Sequence, residues 1–342
     1  MTTTKYARYF LVLLANVALI PCLTSCESVT FPAPFDGRVS FSPDGKHLVC
    51  AIRGSNDGGG GIYRMDKDWT HPVRLTRPTP PTCDGHPTIS PDGLKIAFAR
   101  HETCGRMANV HLYIMNADGT SLTQLTKGSG LDTAPVFSFD GRLIYFLHSW
   151  DVSEVVNSIR VPIRSSAIYA LNQEDHGMQR ITPATYHVSG PPALSPDGKY
   201  LIFSTASDEL HVLSLEIQRE VGVIEPYFKD LPEGKKFEVG IGDPVYSSDG
   251  RSVLFSAFIY PLNQKGDRTS GAATAIYRCN LETSAAEQIV DVTPYGELWP
   301  SVSPDGATIV FVESTGSLGG IWKSFWTVNS DGSNPQKIEL HL

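Results

Sequence analysis

A tetrapeptide that recurs six times constrains this chain more than any other feature. Ser42-Pro43-Asp44-Gly45 returns as Ser90-Pro91-Asp92-Gly93, Ser195-Pro196-Asp197-Gly198 and Ser303-Pro304-Asp305-Gly306. Two copies are altered, Ser138-Phe139-Asp140-Gly141 and Ser247-Ser248-Asp249-Gly250. The aspartates stand 48, 48, 57, 52 and 56 residues apart, a period that points to a repeat architecture. The chemistry is that of a tight turn: Pro presets φ, Asp bonds its own backbone, and Gly supplies the position with φ > 0. Runs rich in β-branched and aromatic residues flank each copy, such as Arg38-Val39-Ser40-Phe41 before the first and His47 to Ile52 after it. Each turn is therefore expected to join two strands into a hairpin.

A second signature follows each hairpin. It reads Ile62-Tyr63-Arg64-Met65-Asp66, Leu112-Tyr113-Ile114-Met115-Asn116 and Ile168-Tyr169-Ala170-Leu171-Asn172, with weaker forms at Leu210, Ile276 and Phe325. A short turn and a last strand such as Val73-Arg74-Leu75-Thr76 close the unit. Four strands per unit and six units predict an all-β fold, a six-bladed β-propeller of four-stranded antiparallel blades. A β-sandwich would need the two-part signature to repeat by coincidence.

The pattern Pro-x-x-Ser-Pro-Asp-Gly-Lys, then Ile-Tyr-x-Met-Asn-x-Asp-Gly, then x-Arg-Leu-Thr resembles the WD-like repeats of TolB-type propellers, from about Arg38 to Leu340. The resemblance implies the propeller fold and protein contacts in a cell-envelope complex. TolB carries an α/β domain before its propeller, where this chain offers only a linker. A role within the Tol system is accordingly not what the resemblance favours.

The chain starts as a targeting segment. Lys5 and Arg8 precede an apolar run from Tyr9 to Ile20 that is too short for a permanent membrane span. Leu23-Thr24-Ser25-Cys26 resembles the lipobox of bacterial lipoproteins, which implies that Cys26 is lipidated and becomes the new N-terminus. The expected organisation is a signal peptide over 1–25, a linker over 26–35 and the propeller over 36–342, anchored by lipid in the bacterial envelope, on the periplasmic side or the cell surface. Loss of the signal leaves 26 basic and 36 acidic residues. That balance excludes nucleic acid and polybasic membrane contact. A monomer is expected.

Strand direction puts the Ser-Pro-Asp-Gly turns at one end of the repeats and the entries to the innermost strands at the other. The Gly-rich stretch Asn56 to Gly61 and the insertions Ser149–Ser166 and Phe258–Thr274 share that second end. Loops gathered on a rigid scaffold are where binding residues concentrate. The entry segments bring Asp36, Asp84, His86, Asp132, His187, Asp243, Glu297 and Trp299 toward the channel mouth. Acidic groups so gathered could hold a divalent cation or a basic segment of a partner. Asp and Pro also shape turns, which is the bland account of each residue taken singly.

No cofactor motif is present, and neither a Gly-x-Ser-x-Gly elbow nor a His-Glu-x-x-His helix occurs. The first functional expectation is a binding scaffold for an envelope protein or polymer. The alternative is a channel-site enzyme, such as a lyase or hydrolase of an envelope or extracellular polymer. Of six cysteines, Cys50 and Cys279 sit in strand patterns. Antiparallel register about Ser90–Gly93 sets Cys83 near Cys104, a disulfide candidate in an oxidising compartment.

Overall fold

The computed structural model describes residues 33–53, 60–104, 109–156, 159–231, 236–269, 273–293, 297–315 and 322–340, all within the compact unit Pro32–Leu342. Cys26 and the segment before it lie outside the described residues. The first repeat forms β1 (Ala33–Phe41), β2 (His47–Arg53), β3 (Gly60–Asp66) and β4 (Val73–Arg74). The second forms β5 (Cys83–Ile89), β6 (Lys95–His101), β7 (Val110–Asn116) and β8 (Thr123–Gln124). The third forms β9 (Leu131–Phe137), β10 (Leu143–Val156), β11 (Ile159–Asn172) and β12 (Met178–Arg180). After a 3₁₀ turn at Ala184–Tyr186, the fourth gives β13 (Ala193–Leu194), β14 (Tyr200–Ser204), β15 (Leu210–Ser214) and β16 (Arg219–Ile224). Next come β17 (Tyr227–Phe228), β18 (Phe237–Tyr246), β19 (Ser252–Pro261), β20 (Ala273–Asn280) and β21 (Ala285–Thr293). The last repeat forms β22 (Glu297–Val302), β23 (Thr308–Thr315), β24 (Trp322–Asn329) and β25 (Gln336–Ile338).

The protein is an all-β propeller of antiparallel four-stranded blades. Strand pairing departs from a plain set of separate sheets in two places. The second and third repeats share one eight-stranded sheet, joined by a single parallel bridge between Val110 and Leu131. The sheet of the fifth repeat has five strands, because β17 adds in parallel to the outer edge of β21. The first strand begins at Ala33, inside the stretch expected to be linker.

The turns show why the tetrapeptide tolerates change at its second position. Ser42 Oγ donates to Asp44 Oδ1 at 2.6 Å and accepts the His47 amide at 2.9 Å, while Asp44 Oδ1 accepts the Lys46 amide at 3.1 Å. The altered copies keep the same bonds through Ser138–Asp140 and Ser247–Asp249. These hydrogen bonds, the Ser hydroxyl first, hold the Asp44, Asp140 and Asp249 carboxyls below the usual range. The second residue instead faces the next turn. A Cβ added to Gly93 would stand 3.8 Å from Pro43 Cδ, and one on Gly141 3.9 Å from Pro91 Cδ. Phe139 lies against Gly198, Pro196 against Gly250, and Ser248 against Gly306. Pro304 of the last turn meets Gly45 of the first.

The core sits between sheets. The middle strands are buried on both faces, so their sequences are continuous apolar runs instead of alternating ones. In β2, Leu48, Cys50 and Ile52 pack with Val310, Val312 and Phe325 of the last repeat, while Val49 and Ala51 pack with Ile96 and Phe98 of the second. The same two-sided packing runs through Phe146, Phe203, Phe255 and Phe311 of the later repeats. Ser301 Oγ donates to the Val39 carbonyl at 2.8 Å, which ties β22 to β1. The closing Thr of each early repeat also has a bond to make. Thr76, Thr126 and Thr182 accept the amides of Ile62, Leu112 and Ile168 at 2.9 Å through Oγ1. Gly61 is required there, since a Cβ would lie 2.6 Å from the Thr76 carbonyl.

The first insertion is a strand extension, whereas the second keeps turn structure over 262–269 between β19 and β20, with an isolated bridge between Leu262 and Arg268. β10 and β11 pair without a break from Leu143–Asn172 to Val156–Ile159. β18 and β19 pair out to Phe237–Pro261. The Gly-rich stretch lies outside the described residues except for Gly60 and Gly61, which open β3.

Candidate functional site at the channel mouth

The entry strands carry a shared distortion. Pairing slips between Gly85 and Thr88 in β5, between Gly242 and Val245 in β18, and between Leu298 and Ser301 in β22. The skipped pairs are His86-Pro87, Asp243-Pro244 and Trp299-Pro300. In β9 the slip skips Ala134-Pro135. The residue before each Pro is left-handed, with φ of 49° at His86, 53° at Ala134, 52° at Asp243 and 57° at Trp299. Such a backbone costs a non-glycine residue about 1–2 kcal/mol, and a bulge re-aims the side chain it carries. The same distortion thus recurs at one position of four repeats.

Three side chains of this surface meet. Arg38 Nη2 stands 3.9 Å from Asp243 Oδ1, so β1 and β18 are bridged by residues far apart in sequence. The Trp299 side chain donates a hydrogen bond to the same carboxylate. Burial nonetheless pushes the Asp243 carboxyl up to about 6, against the pull of the Arg38 charge and the Trp299 hydrogen bond.

The other predicted acids are engaged within their own repeats. Asp84 is fully buried and holds Arg100 in a two-pronged pair, 2.6 Å to Nε and 2.9 Å to Nη2. Arg100 lies over the Tyr113 ring at 4.7 Å. Burial pulls this guanidinium down, and the Asp84 bonds more than offset it, leaving it above its usual value. Asp132 Oδ1 stands 2.6 Å from His148 Nδ1, and His111 approaches the other oxygen at 3.9 Å. His148 in turn stacks on Trp150 with centroids 5.4 Å apart. His86 lies 6.3 Å from the ring of His101. His187 caps the 3₁₀ turn in a left-handed conformation. Asp36 and Glu297 are strand positions whose side chains lie outside the described residues.

Asp84, Asp132 and Asp243, the predicted acids whose side chains are described, do not share one anionic cluster. Each has been matched with a cation or a donor of its own. Among the described residues no group of three or more His, Cys, Asp or Glu side chains is placed to hold a metal ion. Sequence reasoning missed Arg38, Arg100, His111 and His148 as partners. Cys83 faces His101 across the sheet, and the Cys104 amide donates to the Pro81 carbonyl at 2.7 Å just beyond that pair.

Residues 82–224 match the family described as TolB beta propeller domain. The matched stretch spans the second, third and fourth repeats. An uncharacterized Agrobacterium fabrum protein is 28% identical over 163 residues, 45% of each chain. TolB from Acinetobacter baumannii superposes with a TM-score of 0.56 at 20% identity, covering 86% of this chain and 61% of that one. An oligogalacturonate lyase from Vibrio parahaemolyticus gives 0.53 at 16% identity, covering 90% and 78%. The chain thus spans less than two thirds of the length of the first two proteins it matches. At these identities the structural likenesses speak for the TolB-type fold alone. No helix among the described residues is long and apolar enough to cross a membrane.

Proposed function

We propose that this protein is a lipid-anchored propeller of the bacterial cell envelope that binds an envelope protein or polymer at its channel mouth. The observation that carries the reading is the set of left-handed, Pro-locked positions His86, Ala134, Asp243 and Trp299 on the entry strands. A backbone fixed in this way holds the side chains it carries in place, and rigidity lowers the cost of binding. The ring is read as six blades. In support, the shared sheet is two four-strand runs held by one bridge, and the turn contacts return from Pro304 to Gly45. A photo-crosslinking residue at position 86 or 187 should give defined adducts in intact cells. The same residue at Asp118, on a turn at the opposite end, should give none. Adducts from position 118 alone would move the binding face.

The anchor is tested separately. Cys26→Ser should leave the protein soluble or uncleaved. A processed Cys26→Ser protein that stays in the membrane fraction would place the anchor elsewhere.

A second reading, a channel-site enzyme acting on a polymer, is favoured by one observation. Burial raises the Asp243 carboxyl to about 6 beside the Arg38 guanidinium, in the range a general acid or base uses. Turnover of an envelope polysaccharide that vanishes in Asp243→Asn would select it over the scaffold.

A further inference from the structure

Two seams between repeats are crossed by an arginine from the same register position. In β3, Arg64 pairs with Val49, the third residue of β2, and in β20, Arg278 pairs with Leu254, the third residue of β19. Arg64 Nη1 donates to the Ala117 carbonyl of the next repeat at 3.3 Å, and Arg278 Nη2 donates to the Ser330 carbonyl of the next. The two acceptors are matched residues. The Ala117 amide donates to the Leu94 carbonyl and the Ser330 amide to the Ala307 carbonyl, each beside the hairpin turn of its own repeat. The acids one residue on, Asp118 and Asp331, are held below the usual carboxylate range, first by the Thr120 and Ser333 hydroxyls and more weakly by these guanidinium charges. An arginine laid along a strand and ended on a carbonyl beside an acid is thus one way this fold fills a seam.

In β15 the position is Val212, paired with Ile202, the third residue of β14. Valine has neither the reach nor the donor, and the seam toward the fifth repeat holds a cleft of about 480 Å³. The matched acceptor is Leu281, whose amide donates to the Arg251 carbonyl and which lines the cleft; the acid after it is the exposed Glu282. Asp197 and Asp249 of the two neighbouring turns line it as well, both exposed and both held ionised at neutral pH, first by the Ser195 and Ser247 hydroxyls. Tyr246 lines the cleft with 8% of its surface exposed, and its hydroxyl has no hydrogen-bond partner among the described residues. Burial first, then the Asp197 charge, raises this phenol, which sets it near Asp197. The preceding seam behaves alike: Ala170 takes the position in β11, and a cleft of about 310 Å³ lies against Ala170 and Leu215. In β7 the larger Ile114 occupies the position and is buried there.

We propose that the cleft between the fourth and fifth repeats receives the side chain of an arginine supplied by a partner protein, completing this seam as Arg64 and Arg278 complete theirs. The aliphatic stem lies along Val212 and Ile224, and the guanidinium meets the Leu281 carbonyl, the Tyr246 hydroxyl and the carboxylates of Asp197 and Asp249. Arginine suits the cleft better than lysine, because its planar fork can bond a carbonyl and a carboxylate together. The cleft lies among the Ser-Pro-Asp-Gly turns, at the other end of the strands from the channel mouth, so this inference stands or falls without the mouth site.

Saturation-transfer NMR of the purified full chain with the peptide acetyl-Gly-Arg-Gly-amide tests this. Binding with a Kd of about 1–10 mM is expected, and the citrulline peptide, equal in shape and uncharged, should bind about tenfold more weakly. Val212→Arg supplies the guanidinium from within and should abolish binding, while Val212→Ala should keep it. Asp197→Asn together with Asp249→Asn retains the turn acceptors and should weaken binding about tenfold. No binding of the arginine peptide, equal binding of the citrulline peptide, or unchanged binding in Val212→Arg or in the paired Asn variant would each overturn the proposal. Both aspartates are exposed, so the paired Asn variant keeps the fold and decides the matter should Val212→Arg lose the parent circular dichroism.

Discussion

Asp84→Ala should destabilise the protein by about 3–5 kcal/mol, because it strands a charge instead of merely deleting a contact. The Arg100 guanidinium is clasped at 2.6 and 2.9 Å by Asp84 and lies against the faces of Tyr113 and Phe98. Without the carboxylate, a guanidinium fixed by two rings has no anion to answer it. Asp84→Asn should cost less, since the amide oxygen still accepts one N–H. The pair Asp84→Leu with Arg100→Met should return most of the stability, because an ion pair replaced whole by apolar groups is close to neutral. Urea unfolding of the four proteins decides this. Equal losses in Asp84→Ala and in the double variant would show that the site depends on the shape of the pair and not on its charge. Stability little changed in Asp84→Ala would instead make the residue part of a hydrated binding surface.

The fold was legible because its determinants are local. A turn that bonds itself through Ser, Asp and Gly is read directly from four consecutive letters. What Pro does in that turn was not legible: it packs on the glycine of another repeat, about fifty residues away, and nothing in the local pattern says so. The site was legible in position and not in partnership. Asp84, Asp132 and Asp243 share a place near the strand entries, which suggested one acidic cluster. Yet the register of a hairpin names the cross-strand neighbour. Asp84 lies eight residues before Asp92 and Arg100 eight after it, and Asp132 and His148 stand likewise about Asp140. Counting across the turn would have found both cations. The Arg38–Asp243 contact offers no such signal, because it is made between strands that do not pair. The bulges too were hidden, since Asp-Pro and His-Pro read equally well as turns.

Asp243→Asn should make the protein more stable at pH 8 and leave it unchanged at pH 4. The carboxyl is raised from 3.8 to about 6, first by burial, against the Arg38 charge and the Trp299 hydrogen bond. The folded state therefore holds this proton more tightly than the unfolded chain does. Between those two values the native protein binds more protons at this group, so its contribution to stability rises as the pH falls through 6 and is complete below 3.8. Above 6 the ionised group burdens the fold by about 3 kcal/mol at most, from a shift of roughly two pH units. Asparagine, uncharged at every pH, removes that burden. The turn aspartates move the other way: their carboxyls are lowered by the Ser hydroxyls, so the support they give fades in acid. They are common to both proteins and cancel in the difference, which is why the comparison must be wild type against variant across the pH range. A difference that stays flat from pH 4 to pH 8 would mean that Asp243 is not titrating where its burial implies. A difference that grows with pH would show a carboxylate kept at the channel mouth against the interest of stability, held for what it binds or does there.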